Sequence, residues 1–169
     1  EWAPRFRRKT KNKIAKHRGC GISFEGEDLI IKYLEENQHL LDGRPQSCQH
    51  GDFHVGNMIV SNDLELSIID FNRSDFGDPW EEFNRIVFSA QVSPAFASGQ
   101  IDGYFHGGPS AGFFQLLAYY IGSNAISSVY WAIPFGQKDV EVMLNLAKDV
   151  LRWFDGMSNP IPTWYLPSS

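Results

Sequence analysis

The sequence predicts an α+β domain, mostly α, in which a helical bundle is wrapped around one small β-hairpin. Apolar residues recur at helical spacing over four stretches, and two short β-rich runs flank a polar turn near the middle of the chain. The composition agrees: 43% hydrophobic, 14% aromatic and 21% charged residues over 169 positions support a packed core and exclude a disordered tail or a coiled coil.

The elements follow in order. The opening is basic: Arg5, Arg7, Arg8, Lys9, Lys11, Lys13, Lys16 and Arg18 supply eight of the 15 cations. The rest of the chain holds seven cations against 19 anions, a net −12 hidden under the overall −5. Residues 1–24 form a basic segment read as helical, with a solvated face or a junction to a neighbouring domain preferred over a nucleic-acid or membrane contact. Gly19-Cys20-Gly21 breaks it, and Leu29, Ile30, Tyr33 and Leu34 mark one face of a short helix. Ser47 to Asn57 has no clean period and is crowded with His, Asp and Gly. Met58-Ile59-Val60 and Leu66-Ser67-Ile68-Ile69, joined by Ser61-Asn62-Asp63, read as a β-hairpin. That pairing brings Asn57 and Asp70 side by side.

Asp78 is the expected N-cap of a helix with Pro79 in its first turn and Phe83, Ile86, Val87 and Ala90 as its buried stripe. A shorter helical stretch lies among Pro94, Gly99, Gly103 and Gly107-Gly108-Pro109. Phe113 to Trp131 is apolar nearly all round and reads as an interior helix or helix pair. The last helix, about 137–154, aligns Val140, Met143, Leu144, Ala147, Val150, Leu151 and Phe154 and stops at Gly156.

Cys20 and Cys48 are the only cysteines, so neither a disulfide framework nor a zinc ribbon is indicated. No run reaches the roughly 20 apolar residues of a membrane span. The expectation is a cytoplasmic protein without membrane or nucleic-acid partners. The first methionine is Met58, so a piece of a longer protein is expected.

His50, Asp52, His54, Asn57 and Asp70 fall within 21 residues. Phosphoryl transfer needs a carboxylate to accept the proton of the attacking hydroxyl and oxygen ligands to hold Mg²⁺ on the nucleotide phosphates. Asp52, with Asn57 five residues on and Asp70 eighteen on, offers those parts in the order found in protein kinases.

His50-Gly51-Asp52-Phe53-His54-Val55-Gly56-Asn57, Ile69-Asp70-Phe71 and Gly77-Asp78-Pro79-Trp80-Glu81-Glu82-Phe83 together resemble the motif set of the aminoglycoside phosphotransferase and choline kinase family, which shares the protein-kinase fold. The resemblance implies that residues 25–169 form a kinase-like C-terminal lobe with a helical substrate-binding region. It implies Asp52 as catalytic base and Asn57 and Asp70 as Mg²⁺ ligands, with His50, Gly51, His54 and Asp78 supporting the loop. It also implies ATP or GTP as donor and a small-molecule hydroxyl acceptor. The family's N-terminal lobe, with its phosphate-covering loop and strand lysine, finds no counterpart in the motifs, so the lobe alone is expected to be inactive.

The acidic body suits a cationic acceptor such as an aminoglycoside, for which Glu81, Glu82, Trp153 and Trp164 are candidate contacts. Two other readings compete. One is a fragment or pseudokinase serving as a binding module. The other is a metal hydrolase using His50, Asp52 and His54, whose donors alternate as in a catalytic zinc set.

Overall fold

Helix-forming periodicity decides most of the architecture. The computed structural model describes residues 1–106 and 108–167. In chain order the elements are α1 (Trp2–Gly19), α2 (Glu27–Glu36), β1 (Ser47–Gln49), β2 (Met58–Val60), β3 (Leu66–Ile68), β4 (Asp75–Gly77), α3 (Ile86–Val92), α4 (Pro94–Phe105), α5 (Ala111–Ala132) and α6 (Gln137–Trp153). Helix, 3-10 turns included, accounts for 63% of the described residues, and the strands form two small antiparallel pairs, as the α+β, mostly α reading expects. Gly107, one of the punctuating glycines, lies outside the described residues.

The backbone divides into two compact units, Glu1–Arg44 with Ser110–Thr163, and Pro45–Pro109 with the segment from Trp164. In the first, α5 is a single 22-residue helix, which resolves the choice between a helix and a helix pair, and residues from Phe113 to Ala132 are buried on nearly all its sides. Most of the basic opening lies in α1. Trp2, Phe6, Thr10, Ile14 and His17 recur every three or four positions and are buried, which leaves Arg5, Arg8, Lys9, Lys11, Lys16 and Arg18 exposed. The exposed cations still cover apolar surface: Arg5 lies 5.7 Å from the Trp2 ring centre and Lys9 5.0 Å from that of Phe6. Trp2 Nε1 donates to the Tyr120 hydroxyl at 2.8 Å, tying α1 to α5. At Gly122 a side chain would press on Ile30 of α2, with Cγ2 only 3.1 Å from a Cβ there, so the glycine allows the two helices their close approach. The last helix ends at Trp153, and Gly156, at positive φ, donates back to the Leu151 carbonyl.

The second unit carries the expected hairpin: β2 pairs with β3 in the register Met58↔Ile68 and Val60↔Leu66. It also holds a pair that periodicity does not announce, β1 with β4, in the register Ser47↔Gly77 and Gln49↔Asp75. The helix expected from Asp78 begins later. Asp78 is fully buried and its Oδ1 accepts from Trp80 N, a 3-10 turn follows at Glu81–Arg85, and α3 starts at Ile86. Ser93 caps α4 by accepting from Phe96 N, with Pro94 in the first turn. The tail returns onto α4, where Tyr165 donates to Asp102 at 2.5 Å and Leu166 N donates to Ser98. Burial and that bond push the Tyr165 hydroxyl up to about 12. Among the described residues no helix is long and apolar enough to cross a membrane.

Removing the Tyr120 hydroxyl strands the buried Trp2 indole N–H. Tyr120→Phe is expected to lower unfolding stability by about 1–3 kcal/mol, read as a lower urea midpoint at unchanged m; an unchanged midpoint would show that the bond contributes nothing.

Candidate functional site

The His50–Asn57 loop leaves β1 and is held from two sides. On one side, Glu82 places both carboxylate oxygens on consecutive backbone amides: His50 N donates to Oε2 at 2.6 Å and Gly51 N to Oε1 at 2.9 Å. Burial pushes the Glu82 carboxyl up from its ordinary value, while these two amides favour the carboxylate. Gln49, the last residue of β1, adds its amide to the Asp78 carbonyl at 2.7 Å and to Glu81 at 3.2 Å. On the other side, His50 Nε2 donates to the Ile69 carbonyl at 2.8 Å, just past β3, and its Nδ1 accepts from Asp52 N at 3.2 Å. Those two partners fix a neutral tautomer with the proton on Nε2. The Phe71 and Phe53 rings flank the imidazole, 4.4 Å and 6.0 Å between centres. Gly51 is required by shape: its φ is +81°, and a Cβ would collide with the Arg73 carbonyl oxygen.

The loop delivers Asp52 into a charged setting. Arg85 Nε lies 3.2 Å from Asp52 Oδ1, Arg73 Nη1 3.8 Å from Oδ2, and His54 Nε2 3.9 Å from Oδ1. His54 Nδ1 accepts from Gly56 N, and burial lowers the pKa of its ring, against the pull of Asp52. Burial also lowers that of Arg85, opposed by Asp52, Glu81 and Glu82. Asn57 donates Nδ2 to the Asp52 carbonyl at 2.9 Å, so its Oδ1 is the amide atom left for a ligand. Asn57 sits opposite Ile69, whose N donates to the Asn57 carbonyl, and Asp70 lies one residue beyond the position facing it. Asp70 is exposed, adopts the left-handed region at φ 65° and ψ 60°, and accepts from Asn72 at 2.7 Å through Oδ1 alone among the described residues. An amide oxygen and a carboxylate oxygen without protein donors suit a hard cation that fills its shell with water and phosphate, as Mg²⁺ does.

Comparison with known families settles the lineage. The family model described as APH, phosphotransferase enzyme family, matches residues 1–114. The chain belongs to the APH phosphotransferase family. Its fold is that of the C-terminal part of the APH kinase-like fold. Solved structures that share it include three of a thermostable mutant of aminoglycoside phosphotransferase APH(4)-Ia. A ternary complex with ADP and hygromycin B gives a TM-score of 0.57 at 15% identity. The apo form gives 0.56 at 19%, and a ternary complex with AMP-PNP and hygromycin B gives 0.57 at 18%. Each comparison covers 75% of this chain and 43% of the other, so the chain spans less than half the length of these relatives. At such identities the likeness is one of fold. No curated protein matches the chain in sequence.

Within this APH-family site, His50, Gly51, Asp52, His54, Asn57 and Asp78 are joined by the bonds above, and Asp70 follows β3. Three expectations change. Glu82 is not a free acceptor-binding anion, because both its oxygens are occupied by the loop amides. Trp153 and Trp164 are buried, 6% and 5% exposed, so their faces are core surface and cannot stack on an incoming ligand. The zinc reading of His50, Asp52 and His54 loses its first ligand, since both His50 ring nitrogens are already bonded. Among the described residues no group of three or more His, Cys, Asp or Glu side chains could hold a metal. Sequence reasoning passed over Arg73 and Arg85, although they are the only Lys or Arg between residues 45 and 109.

Glutamine at position 82 would present an N–H₂ to one of two amides that both need an acceptor. Glu82→Gln is therefore expected to speed hydrogen exchange at the His50 and Gly51 amides and to destabilise the fold by about 1–3 kcal/mol. Native-like protection of both amides would contradict the clamp.

Proposed function

We propose that this chain is the catalytic C-terminal lobe of a nucleotide-dependent phosphotransferase that moves the γ-phosphoryl group of ATP or GTP to a hydroxyl of a small molecule. The observation that carries the reading is the Asn57 Nδ2 bond to the Asp52 carbonyl. It fastens a potential metal ligand to the backbone of a potential base, as a phosphoryl-transfer site requires. Membership of the APH family and the nucleotide complexes of the fold neighbours support the donor. The hygromycin B in those complexes supports an aminoglycoside-like acceptor.

In this reading Asp52 is the base. Arg85 engages Oδ1, so Oδ2, which Arg73 approaches only to 3.8 Å, is the oxygen that receives the proton. The acceptor oxygen bonds to the γ-phosphorus while the bond to the β,γ-bridging oxygen breaks. The electron pair leaves with the nucleoside diphosphate, and the hydroxyl proton passes to Asp52. Asn57 Oδ1 and Asp70 would hold Mg²⁺, which supplies neutralisation of phosphate charge. His50, Gly51 and Asp78 keep the loop in register, and His54 remains neutral beside it. We assign the phosphate-covering contacts to an N-terminal lobe with which this lobe acts, and the reaction to the cytoplasm.

The deciding experiment is a phosphate-transfer screen of hydroxyl acceptors with the lobe in its complete enzyme. Asp52→Ala is expected to lower kcat by about 10²–10⁴-fold with little change in nucleotide affinity; undiminished turnover would refute the base. Asp70→Ala is expected to abolish the Mg²⁺-dependent part of nucleotide binding, and retained Mg²⁺ dependence by calorimetry would remove Asp70 from the metal site.

A further inference from the structure

The unit formed by residues 45–109 and the segment from Trp164 is strongly acidic, with nine Asp and Glu against two Arg. Both arginines lie within 4 Å of the same carboxylate, Asp52. Surface charge placed for solubility would have no reason to gather every cation of an acidic unit at one point.

The donors are also underused. Arg85 meets Asp52 through Nε, and among the described residues neither of its Nη groups has a hydrogen-bond acceptor. Arg73 has only the 3.8 Å approach of Nη1, and its side chain is half exposed. A pair of guanidinium groups with several unengaged N–H donors is matched to an oxyanion with more than one acceptor oxygen. The anion chemistry closest to a phosphoryl-accepting base is the phosphoryl group itself. A carboxylate base standing alone would repel that group.

Resting on the phosphotransferase reading, we propose that Arg73 and Arg85 form a phosphate-oxyanion site beside Asp52 that holds the phosphoryl group being transferred. Arg85 is the principal contact. It lends Nε to Asp52 Oδ1 and turns its Nη donors to the phosphoryl oxygens, so that the base and the group under attack share one cation. Arg73 adds a second, more mobile charge from the solvent side.

The test uses the full 169-residue chain and inorganic phosphate without metal, followed by NMR at the arginine Nε–H groups. Saturable shifts at Arg73 and Arg85 are expected. Arg85→Gln should weaken binding by about tenfold, the loss of one charge-assisted contact. Asp52→Asn should strengthen it, because the competing carboxylate is gone, and a gain of binding cannot come from misfolding. No saturable binding by either the native chain or Asp52→Asn, or equal binding by Arg85→Gln, would overturn the site. Displacement of the phosphate by ATP but not by ADP identifies the transferred group as its natural occupant. Displacement by neither would overturn the assignment to the transferred group. Absent phosphate transfer by the complete enzyme, with intact phosphate binding, would count against the phosphotransferase reading and leave the oxyanion site standing.

Discussion

The site depends on one half-buried carboxylate. Glu82 collects two consecutive backbone N–H groups, at His50 and Gly51, that would otherwise be orphaned where β1 ends and the loop turns. An unpaired buried amide is expensive, and an unpaired buried carboxylate more so, so each makes the other tolerable. Once the two amides are fixed, Gly51 is confined to positive φ with its backbone against Arg73, and the His50 ring is aimed at the Ile69 carbonyl. The next residue is Asp52, whose own amide closes onto His50 Nδ1. A carboxylate some thirty residues away in sequence thus determines where the loop carries Asp52.

The second constraint is electrostatic, and it is local. The residues around Asp52 run against the charge of their own unit. Arg73 and Arg85 approach its two oxygens from the 3-10 turns at Phe71–Arg73 and Glu81–Arg85. Burial disfavours the protonated form of Arg85, and Asp52, Glu81 and Glu82 oppose that shift without cancelling it. Asp70 shows a different kind of cost. A left-handed conformation at a non-glycine residue is strained, and such strain gathers where a side chain must be aimed.

What could be read from sequence was what local pattern encodes. The β2–β3 hairpin, the buried α5 and the limits of α6 follow from periodicity and turn residues within a few positions. The spacing of Asp52, Asn57 and Asp70 was legible because the hairpin between them is itself a local object. The β1–β4 pair was not: each strand is three residues long, with only Gln49 and Gly77 buried, and they meet across a separation of about thirty residues. Glu82 looked like a free anion for the same reason, since nothing in its neighbourhood names two amides of a distant loop as partners. Trp153 and Trp164 failed in the opposite direction. Aromatic rings suit both ligand stacking and core packing, and only burial separates the two.

The pairing of Asp52 with Arg85 is compatible with a base because the two carboxylate oxygens are treated unequally. A carboxylate with both oxygens in short charge-assisted bonds would hold its lone pairs too firmly to take a proton. Here Oδ1 meets Arg85 at 3.2 Å, while the nearest cation to Oδ2 stands at 3.8 Å, beyond a good hydrogen bond. The oxygen nearer Arg85 fixes the orientation of the group and leaves Oδ2 with the looser contact. The loop supports the same division, because Asn57 binds the Asp52 backbone carbonyl rather than its side chain, and His50 takes its backbone amide. Apart from the 3.8 Å approach of Arg73, every neighbour that restrains Asp52 does so through an atom other than Oδ2.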